Sequence, residues 1–322
     1  MGDVVKQIEQ SIQVPDEHGG RRFDQIATAC FGDFSRAKLQ EWIRGGSLLV
    51  DGTPRKPSDK LFGGEQLTLS VTISCDTEWV AEDIPLDVVY EDDDIIVINK
   101  PANLVVHPAA GNYTGTVLNA LLHHYPDNAA LPRAGIVHRL DKDTTGLMVV
   151  ARTLEAHTDL VAQLQERTVH REYDAVVRGV MTGGGSVDAP IGRHPQNRLK
   201  MAVVRGGKPS VTHYRVVQRF RAHTHVRLNL QTGRTHQIRV HMSHQHFPLV
   251  GDDLYGGGLK LPKSCPTSLE NALRAFRRQA LHARKLGLIH PTTGEYLEWE
   301  IPLSEDFQTL LTTLTECEAL FP

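Results

Sequence analysis

The first quarter of the chain shows apolar residues at helical spacing and then in short alternating runs. The helical spacing predicts two helices, in RRFDQIATAC and in SRAKLQEWIRGG, the second with Ser35 as its N-cap. Short strands are predicted on both sides of the Asp51-Gly52 turn. We therefore predict a small compact domain over residues 21–72, preceded by a flexible polar tail at 1–20 and followed by a linker at 73–84.

From residue 85 to residue 322 the pattern becomes a mixture of strands and helices. Alternating or continuous apolar runs predict strands within residues 86–101, 146–152, 171–180, 211–220, 224–232, 284–291 and 296–301. Helical spacing predicts helices at 114–125, 153–167, 234–245 and 304–320. Strands and helices do not alternate regularly. This favours an α+β fold with a largely antiparallel mixed β-sheet, flanked by helices and loops, over a doubly wound parallel sheet.

Composition narrows the class of protein without naming a function. The 322 residues are 40% hydrophobic and 23% charged, with a formal net charge of -3, which is ordinary for a soluble globular protein. No apolar run is long enough to span a bilayer, and the N-terminus lacks the pattern of a secretory signal. Four widely spaced cysteines form no paired metal-binding spacing and indicate reduced thiols in the cytoplasm.

The densest polar stretch is IVHRLDKDTTGLM at residues 136–148, which interrupts two apolar flanks that look like buried strands. Asp141 lies between Arg139 and Lys142, and nearby positive charge favours an ionised carboxylate. Such a group serves as a nucleophile or a base. The alternative is a charged surface turn. The apolar flanks favour a loop fixed at both ends and so a catalytic role.

A second cluster, GRTHQIRVH at residues 233–241, concentrates cationic side chains on a predicted short helix. Arg234 and Arg239 suit phosphate recognition or bidentate pairing with a carboxylate, although an exposed cationic helix is the alternative. A zinc site is a weaker hypothesis, because the spacing does not match the usual helical zinc motif. Its candidate ligands are His236, His241, His244 and His246.

Two further features are weaker on their own. Tyr173, in the predicted strand REYDAVV, suits either a buried core position or stacking on a nucleic-acid base. GDDLYGGG at residues 251–258 predicts a flexible loop near Tyr255, and it lacks the lysine and helix of a phosphate-binding loop.

The motifs HRLDKDTTGL, REYDAVV, GRTHQIRVHM, PLVGDDLYGG and QALHARKL, in this order, resemble those of RluA-type pseudouridine synthases. The segments RRFDQIA, SRAKLQEWIRGGSLLVDG and KPSDKL resemble an S4 (αL) RNA-binding domain. The resemblance implies an isomerase that converts uridine to pseudouridine in RNA, with neither a metal nor an organic cofactor.

The resemblance also implies residue roles. The family's catalytic aspartate matches Asp141, and its arginine partner matches Arg239, with Arg234 as the alternative. Tyr173 matches the aromatic residue that packs on the target base, and Arg139 the residue that fills the space of a flipped nucleotide. His138 and His236 are further candidates for contact with the target base.

The same resemblance implies that the partner is large-subunit (23S) ribosomal RNA, in its helix 69 stem-loop, either free or within an assembling 50S particle. We expect a cytoplasmic monomer. In the S4-like region the candidate RNA contacts are Arg21, Arg22, Arg36, Lys38, Arg44 and Lys56. A non-catalytic RNA-binding or ribosome-assembly factor is the alternative function, but it would have no chemical need for Asp141, Arg239 and Tyr173.

Overall fold

A computed structural model describes residues 5–32, 34, 36–74, 79–109, 112–197 and 199–319. Ser35, Cys75 and the side chain of Lys38 lie outside the described residues. The chain forms two compact units that divide between residues 78 and 79. Across the described ranges, no helix is both long enough and apolar enough to cross a membrane.

The first unit packs two helices against a three-stranded antiparallel sheet of order β1-β3-β2. Its elements are β1 (Val5–Gln13), α1 (Phe23–Cys30), α2 (Arg36–Gly45), β2 (Leu48–Val50) and β3 (Gln66–Ser74). The apolar helix positions read from the sequence form its core, where Ile26 and Ile43 pack with Leu67 of the sheet.

The prediction of a flexible tail over residues 1–20 is wrong for residues 5–13. This segment is strand β1, and it pairs with β3 along its full length, from Val5 opposite Ser74 to Gln13 opposite Gln66. The segment has few apolar residues, so its side chains give little sign of a strand. Its backbone hydrogen bonds to β3 hold it in place, and these bonds do not depend on the side chains. Among the side chains of β1 that the structure describes, residues 8–13, Ile8 and Ile12 contact the core, and their spacing does not stand out in the sequence.

A buried carboxylate joins the two helices of the first unit. Asp24 is fully buried and accepts hydrogen bonds from Arg36 at 2.8 Å, Gln40 at 2.7 Å and Arg22 at 3.1 Å. Burial alone would raise the pKa of this carboxyl. The hydrogen bonds from Arg36, Gln40 and Arg22 outweigh burial and lower the pKa from 3.8 to about 2.

Substitution Asp24→Asn should therefore destabilise the first unit by about 2 kcal/mol, the range for hydrogen bonds to a charged group. Because the folded pKa is lowered, the contribution of the carboxylate is present above about pH 4 and is lost as the pH falls towards 2. Urea unfolding followed by tryptophan fluorescence, to which Trp42 of this unit contributes, measures the effect, with Glu17→Gln at an exposed position as the control. A difference between Asp24→Asn and wild type that does not shrink below pH 4 would contradict this assignment.

The second unit is built on a nine-stranded sheet of order β4-β5-β6-β13-β7-β12-β11-β8, with β14 paired to β13. Of the strand pairs described for this sheet, β6 with β13 is parallel and the others are antiparallel. This confirms the predicted α+β class with a largely antiparallel mixed sheet. The strands are β4 (Val88–Glu91), β5 (Ile95–Lys100), β6 (Thr145–Ala151), β7 (His170–Arg178), β8 (Gly185–Asp188), β11 (Val211–Arg219), β12 (His223–Leu230), β13 (Leu281–Ile289) and β14 (Tyr296–Glu300).

The continuous apolar runs of β5 and β6 reflect burial on both faces of the sheet. In β6, Met148 and Val150 face one core, while Leu147 and Val149 face another, as the two-residue period of a strand requires. The helices that cover the unit are α3 (Val117–His124), α4 (Leu154–Glu166), α5 (Gln237–His244), α6 (Asp253–Gly256), α7 (Thr267–Ala275) and α8 (Glu305–Ala319). A separate two-stranded ribbon contains β9 (Ile191–Arg193) and β10 (Met201–Val203).

Three sequence expectations differ from the structure of this unit. The predicted linker ends early, because Trp79 and Ile84 pack on the main core and the Glu82 amide donates to Asn119 O at 3.0 Å. The flank AGIV at residues 134–137 is not a strand, because Ala134 and Gly135 belong to a 3₁₀ turn at Pro132–Gly135. The expected flexible loop at residues 251–258 contains helix α6.

Candidate active site

The polar stretch forms a loop that leads into β6 and is held from several sides. The Thr144 amide donates to Asp141 O at 3.1 Å and closes a turn. The Nζ of buried Lys100 donates to the carbonyl oxygens of Pro101, Leu104 and Lys142 at 2.7, 2.9 and 2.9 Å. The loop is thus fixed at its backbone, so that Asp141 is presented on a rigid support.

His138 braces the same loop. Its Nε2 accepts a hydrogen bond from the Val149 amide of β6 at 3.1 Å. Burial and nearby Arg171 lower the pKa of this imidazole to about 3, so the ring is neutral. The ring lines the cleft, but its Nε2 is committed to the backbone of β6 rather than to a ligand.

Arg239 in α5 joins the Asp141 loop to helix α6. Its Nη1 donates to Asp141 Oδ2 at 3.0 Å, while Nε and Nη2 form a bidentate pair with Asp252 at 2.7 and 3.0 Å. Burial by itself lowers the pKa of Arg239, but the two carboxylates raise it above its ordinary value. Asp252 therefore orients the guanidinium that holds Asp141, and of the two candidate arginines Arg239 makes the contact.

His236 approaches Asp141 from the other side. Its Nε2 lies 3.8 Å from Asp141 Oδ1, and its Nδ1 lies 2.7 Å from the hydroxyl of Tyr255. That hydroxyl also accepts the Met201 amide at 2.9 Å, so Tyr255 connects the His236 ring to the backbone of β10. His236 has a φ of 57° and precedes α5, so it lies outside the helix that the sequence predicted to contain it.

Asp141 lines a cavity of about 690 Å³ that is strongly basic. Tyr173, on β7, is 94% buried and lines the same cavity. Arg139 and Arg234 are exposed at its wall. Asp141 is the one acidic residue among the described residues that line the cavity, against six arginines: Arg133, Arg139, Arg167, Arg171, Arg234 and Arg239. The site suits a polyanionic substrate with a planar group at its floor.

The histidines proposed as zinc ligands have other surroundings. The two ring nitrogens of buried His241 lie 2.9 Å from Thr212 Oγ1 and 3.0 Å from Ala189 O. His236 is engaged by Tyr255, whereas His244 and His246 are exposed. These side chains therefore do not offer a shared set of free ligand atoms.

A different group, Asp92, Asp94 and His290, brings its oxygen and nitrogen atoms within 4.8 Å of one another. His290 Nδ1 accepts the amides of Thr292 and Thr293, so its Nε2 carries the proton and donates to Asp92 at 3.0 Å. The cluster is a hydrogen-bonded support between two turns, and its nitrogen is not free to bind a metal ion.

The candidate RNA contacts of the first unit fall into three sets. Arg22 and Arg36 pair with Asp24, although each side chain stays about half exposed, at 48% and 49%. Lys38 has no described side chain. The exposed candidates are Arg21, Arg44 and Lys56.

Sequence reasoning gave no role to four residues that shape the site: Lys100, Arg171, Asp252 and Tyr255. Lys100 lies near the end of the predicted strand at 86–101, and Arg171 lies at the start of the one at 171–180. A charged residue at the end of a strand usually reaches solvent. Asp252 and Tyr255 lie in a glycine-rich stretch that predicts flexibility. The one available signal was the position of charged residues directly beside apolar runs.

Comparisons with known proteins agree on one family. A sequence model for RNA pseudouridylate synthase matches residues 94–244. Ribosomal large subunit pseudouridine synthase D of Pseudomonas aeruginosa is 59% identical over 314 residues, which cover 98% of each chain. The enzyme of the same name from Xanthomonas campestris is 56% identical over 306 residues, covering 95% of this chain and 92% of that one.

A solved structure is also similar. Human RNA Pseudouridylate Synthase Domain Containing 4 aligns with a TM-score of 0.56 and 28% identity, covering 71% of this chain and 93% of that one. The agreement in fold extends beyond the residues matched by the sequence model.

Proposed function

This chain belongs to the RNA pseudouridine synthase family, and from that premise we propose that it isomerises specific uridines of large-subunit ribosomal RNA, in the helix 69 stem-loop. The family makes the chain an isomerase that forms pseudouridine in RNA. The choice of RNA is supported by relatives whose names specify the large ribosomal subunit. The proposed location is the cytoplasm, and the proposed working form is a monomer.

The observation that carries the proposed mechanism is the pairing of Asp141 with Arg239 in a basic cleft. Pseudouridine formation breaks the bond from the sugar C1′ to N1 of uracil and forms a bond from C1′ to C5. The C5 proton is removed and N1 is protonated. We assign Asp141 the role of nucleophile or base near C1′, since Arg239 and the fixed loop aim one carboxylate into the cavity.

A stacked uridine has to leave its helix or loop before its glycosidic bond can reach Asp141. Extrusion of one nucleotide costs on the order of a few kcal/mol. Stacking of the base on an aromatic ring returns about 1–3 kcal/mol, and we assign this contact to Tyr173. To Arg139, which is exposed and lines the cavity, we assign the role of filling the position in the RNA that the base leaves.

The charge distribution supports RNA as the substrate despite the net charge of -3. Residues 189–251 contain no Asp or Glu and eleven Lys or Arg, whereas the rest of the chain has 24 Lys or Arg against 38 Asp or Glu. This segment contains the arginines of the Gly233–Arg239 stretch that lines the cleft. A local excess of cations attracts phosphates even on an acidic protein. The S4-like first unit is proposed to add phosphate contacts that position the RNA.

The experiment that tests the proposed function maps pseudouridine in ribosomal RNA from cells that carry or lack the gene, by carbodiimide labelling and primer extension. We expect a small cluster of signals in helix 69 to disappear without the gene and to return with the wild-type chain. Parallel assays on free RNA and on isolated assembling particles identify the form of the substrate. An unchanged map would contradict the choice of RNA and favour a non-catalytic binding role.

A further inference from the structure

Arg171 of β7 is a buried cation that forms no ion pair with the residues that the structure describes. The residue is 94% buried, and its Nε has no hydrogen-bond acceptor among the described residues. Over the described ranges, its guanidinium forms no ion pair, unlike those of Arg227, Arg239 and Arg284. Burial lowers the pKa of Arg171, but an arginine stays protonated at neutral pH, so the charge is retained at a cost.

The alternation of β7 explains why neither carboxylate of this strand pairs with Arg171. Glu172 pairs with Arg227 and Arg284 at 3.5 and 3.6 Å, and Asp174 accepts from His225 at 2.7 Å. Successive side chains of a strand point to opposite faces, so these two acids lie on the face away from Arg171. Arg171 therefore shares its face with Tyr173, and both line the cavity that contains Asp141.

Gly233, which also lines the cavity, leaves space for the guanidinium of Arg171. A Cβ atom built on Gly233 would lie 2.7 Å from Nη1 of Arg171, too close for any side chain to be accepted without movement. The glycine of the GRTHQ segment thus lets the guanidinium lie against the loop that leads to His236, and both line the cavity. Arg171 therefore belongs to the lining of a cavity that a ligand can enter.

We propose that Arg171 binds a phosphate that flanks the target uridine, and so positions the flipped nucleotide over Asp141. This rests on the proposed function. Residues i and i+2 of a strand are about 7 Å apart, and a base on Tyr173 is joined to its own phosphates through a single sugar. A phosphate offers the negative charge that the buried guanidinium lacks, and its geometry suits bidentate pairing with arginine. A uracil carbonyl is neutral and would leave the charge uncompensated.

The test compares stem-loop RNAs in matched pairs, with either a normal phosphate or a neutral methylphosphonate on one side of the target uridine. Both sides are tested separately, and the 2′ substituent that stabilises the neutral linkage is present in both members of a pair. For the wild type, we expect one neutral linkage to lower kcat/KM by about 10-fold to 100-fold, the range for loss of a charged hydrogen bond. On normal RNA, Arg171→Gln should have a kcat/KM that is lower than that of the wild type by the same factor. The same neutral linkage should then lower the kcat/KM of Arg171→Gln by less than about 3-fold.

Controls separate this role from a structural one. Arg274→Gln, at an exposed ion pair with Glu270 on α7, should retain the full wild-type response. Arg171→Lys, which keeps the positive charge, should recover part of the wild-type response to the neutral linkage. If Arg171→Gln lowers kcat/KM but responds to the neutral linkage as strongly as the wild type does, the proposal is overturned. The affinity for RNA is also measured for every pair. If the wild type binds an RNA but does not convert it, the proposed function is contradicted. The affinities of the matched pairs then still test the role of Arg171.

Discussion

Asp141→Asn is expected to lower the rate of pseudouridine formation by about 10⁴-fold or more, the scale seen when a reacting side chain is removed from an enzyme. Asparagine has nearly the same shape but is neither a nucleophile nor a base under these conditions. Single-turnover conversion of a helix 69 stem-loop provides the measurement. The melting temperature and the affinity for RNA should stay close to the wild-type values, because Arg239 keeps its bidentate pair with Asp252.

The matched control for this prediction is Asp143→Asn. Asp143 lies in the same loop, two residues away, and its backbone carbonyl accepts from Arg278 at 3.1 Å, which the substitution preserves. It should remain within a few-fold of wild type. Comparable activity in Asp141→Asn and Asp143→Asn would remove Asp141 from the chemistry and leave the cleft as a binding site.

The second large effect is expected from Arg239→Gln, which should damage both stability and activity. The side chain of Asp252 is fully buried and takes two hydrogen bonds from this guanidinium. Removal of one partner from a buried pair typically costs about 3–5 kcal/mol, because the remaining charge is uncompensated. Activity should also fall, since Asp141 loses the donor at 3.0 Å that aims it.

The double substitution Arg239→Gln with Asp252→Asn separates these two losses. It removes the uncompensated charge, so urea unfolding should show that most of the lost stability returns. Activity should not return, because Asp141 is still without its guanidinium. Arg239→Lys should be less stable and less active than the wild type, since a single ammonium cannot form the bidentate pair and also reach Asp141. Full activity in the double variant would show that Arg239 serves only the fold.

The local patterns that could be read from the sequence were those that depend on neighbouring residues. The continuous apolar run of β6 and the helical spacing of α4 and α8 predict these elements within a few residues of their actual bounds. The resemblance matched Asp141 and Arg239 as a pair, and the structure brings them within 3.0 Å. Strand β1 escaped prediction because pairing with β3, rather than its own side chains, holds it in place.

The sequence by itself therefore determined the α+β class, most of the helices and strands of the larger unit, and the family through its motifs. Tertiary structure alone decided that Arg239 connects Asp141 to Asp252, that Tyr255 contacts His236, and that the buried Nε of Arg171 has no hydrogen-bond partner among the described residues. The reason is physical: periodicity is a local property of the chain. Ion pairing and burial, in contrast, depend on distances between segments, such as the 98 positions that separate Asp141 from Arg239, and only the folded sheet and its helices set those distances.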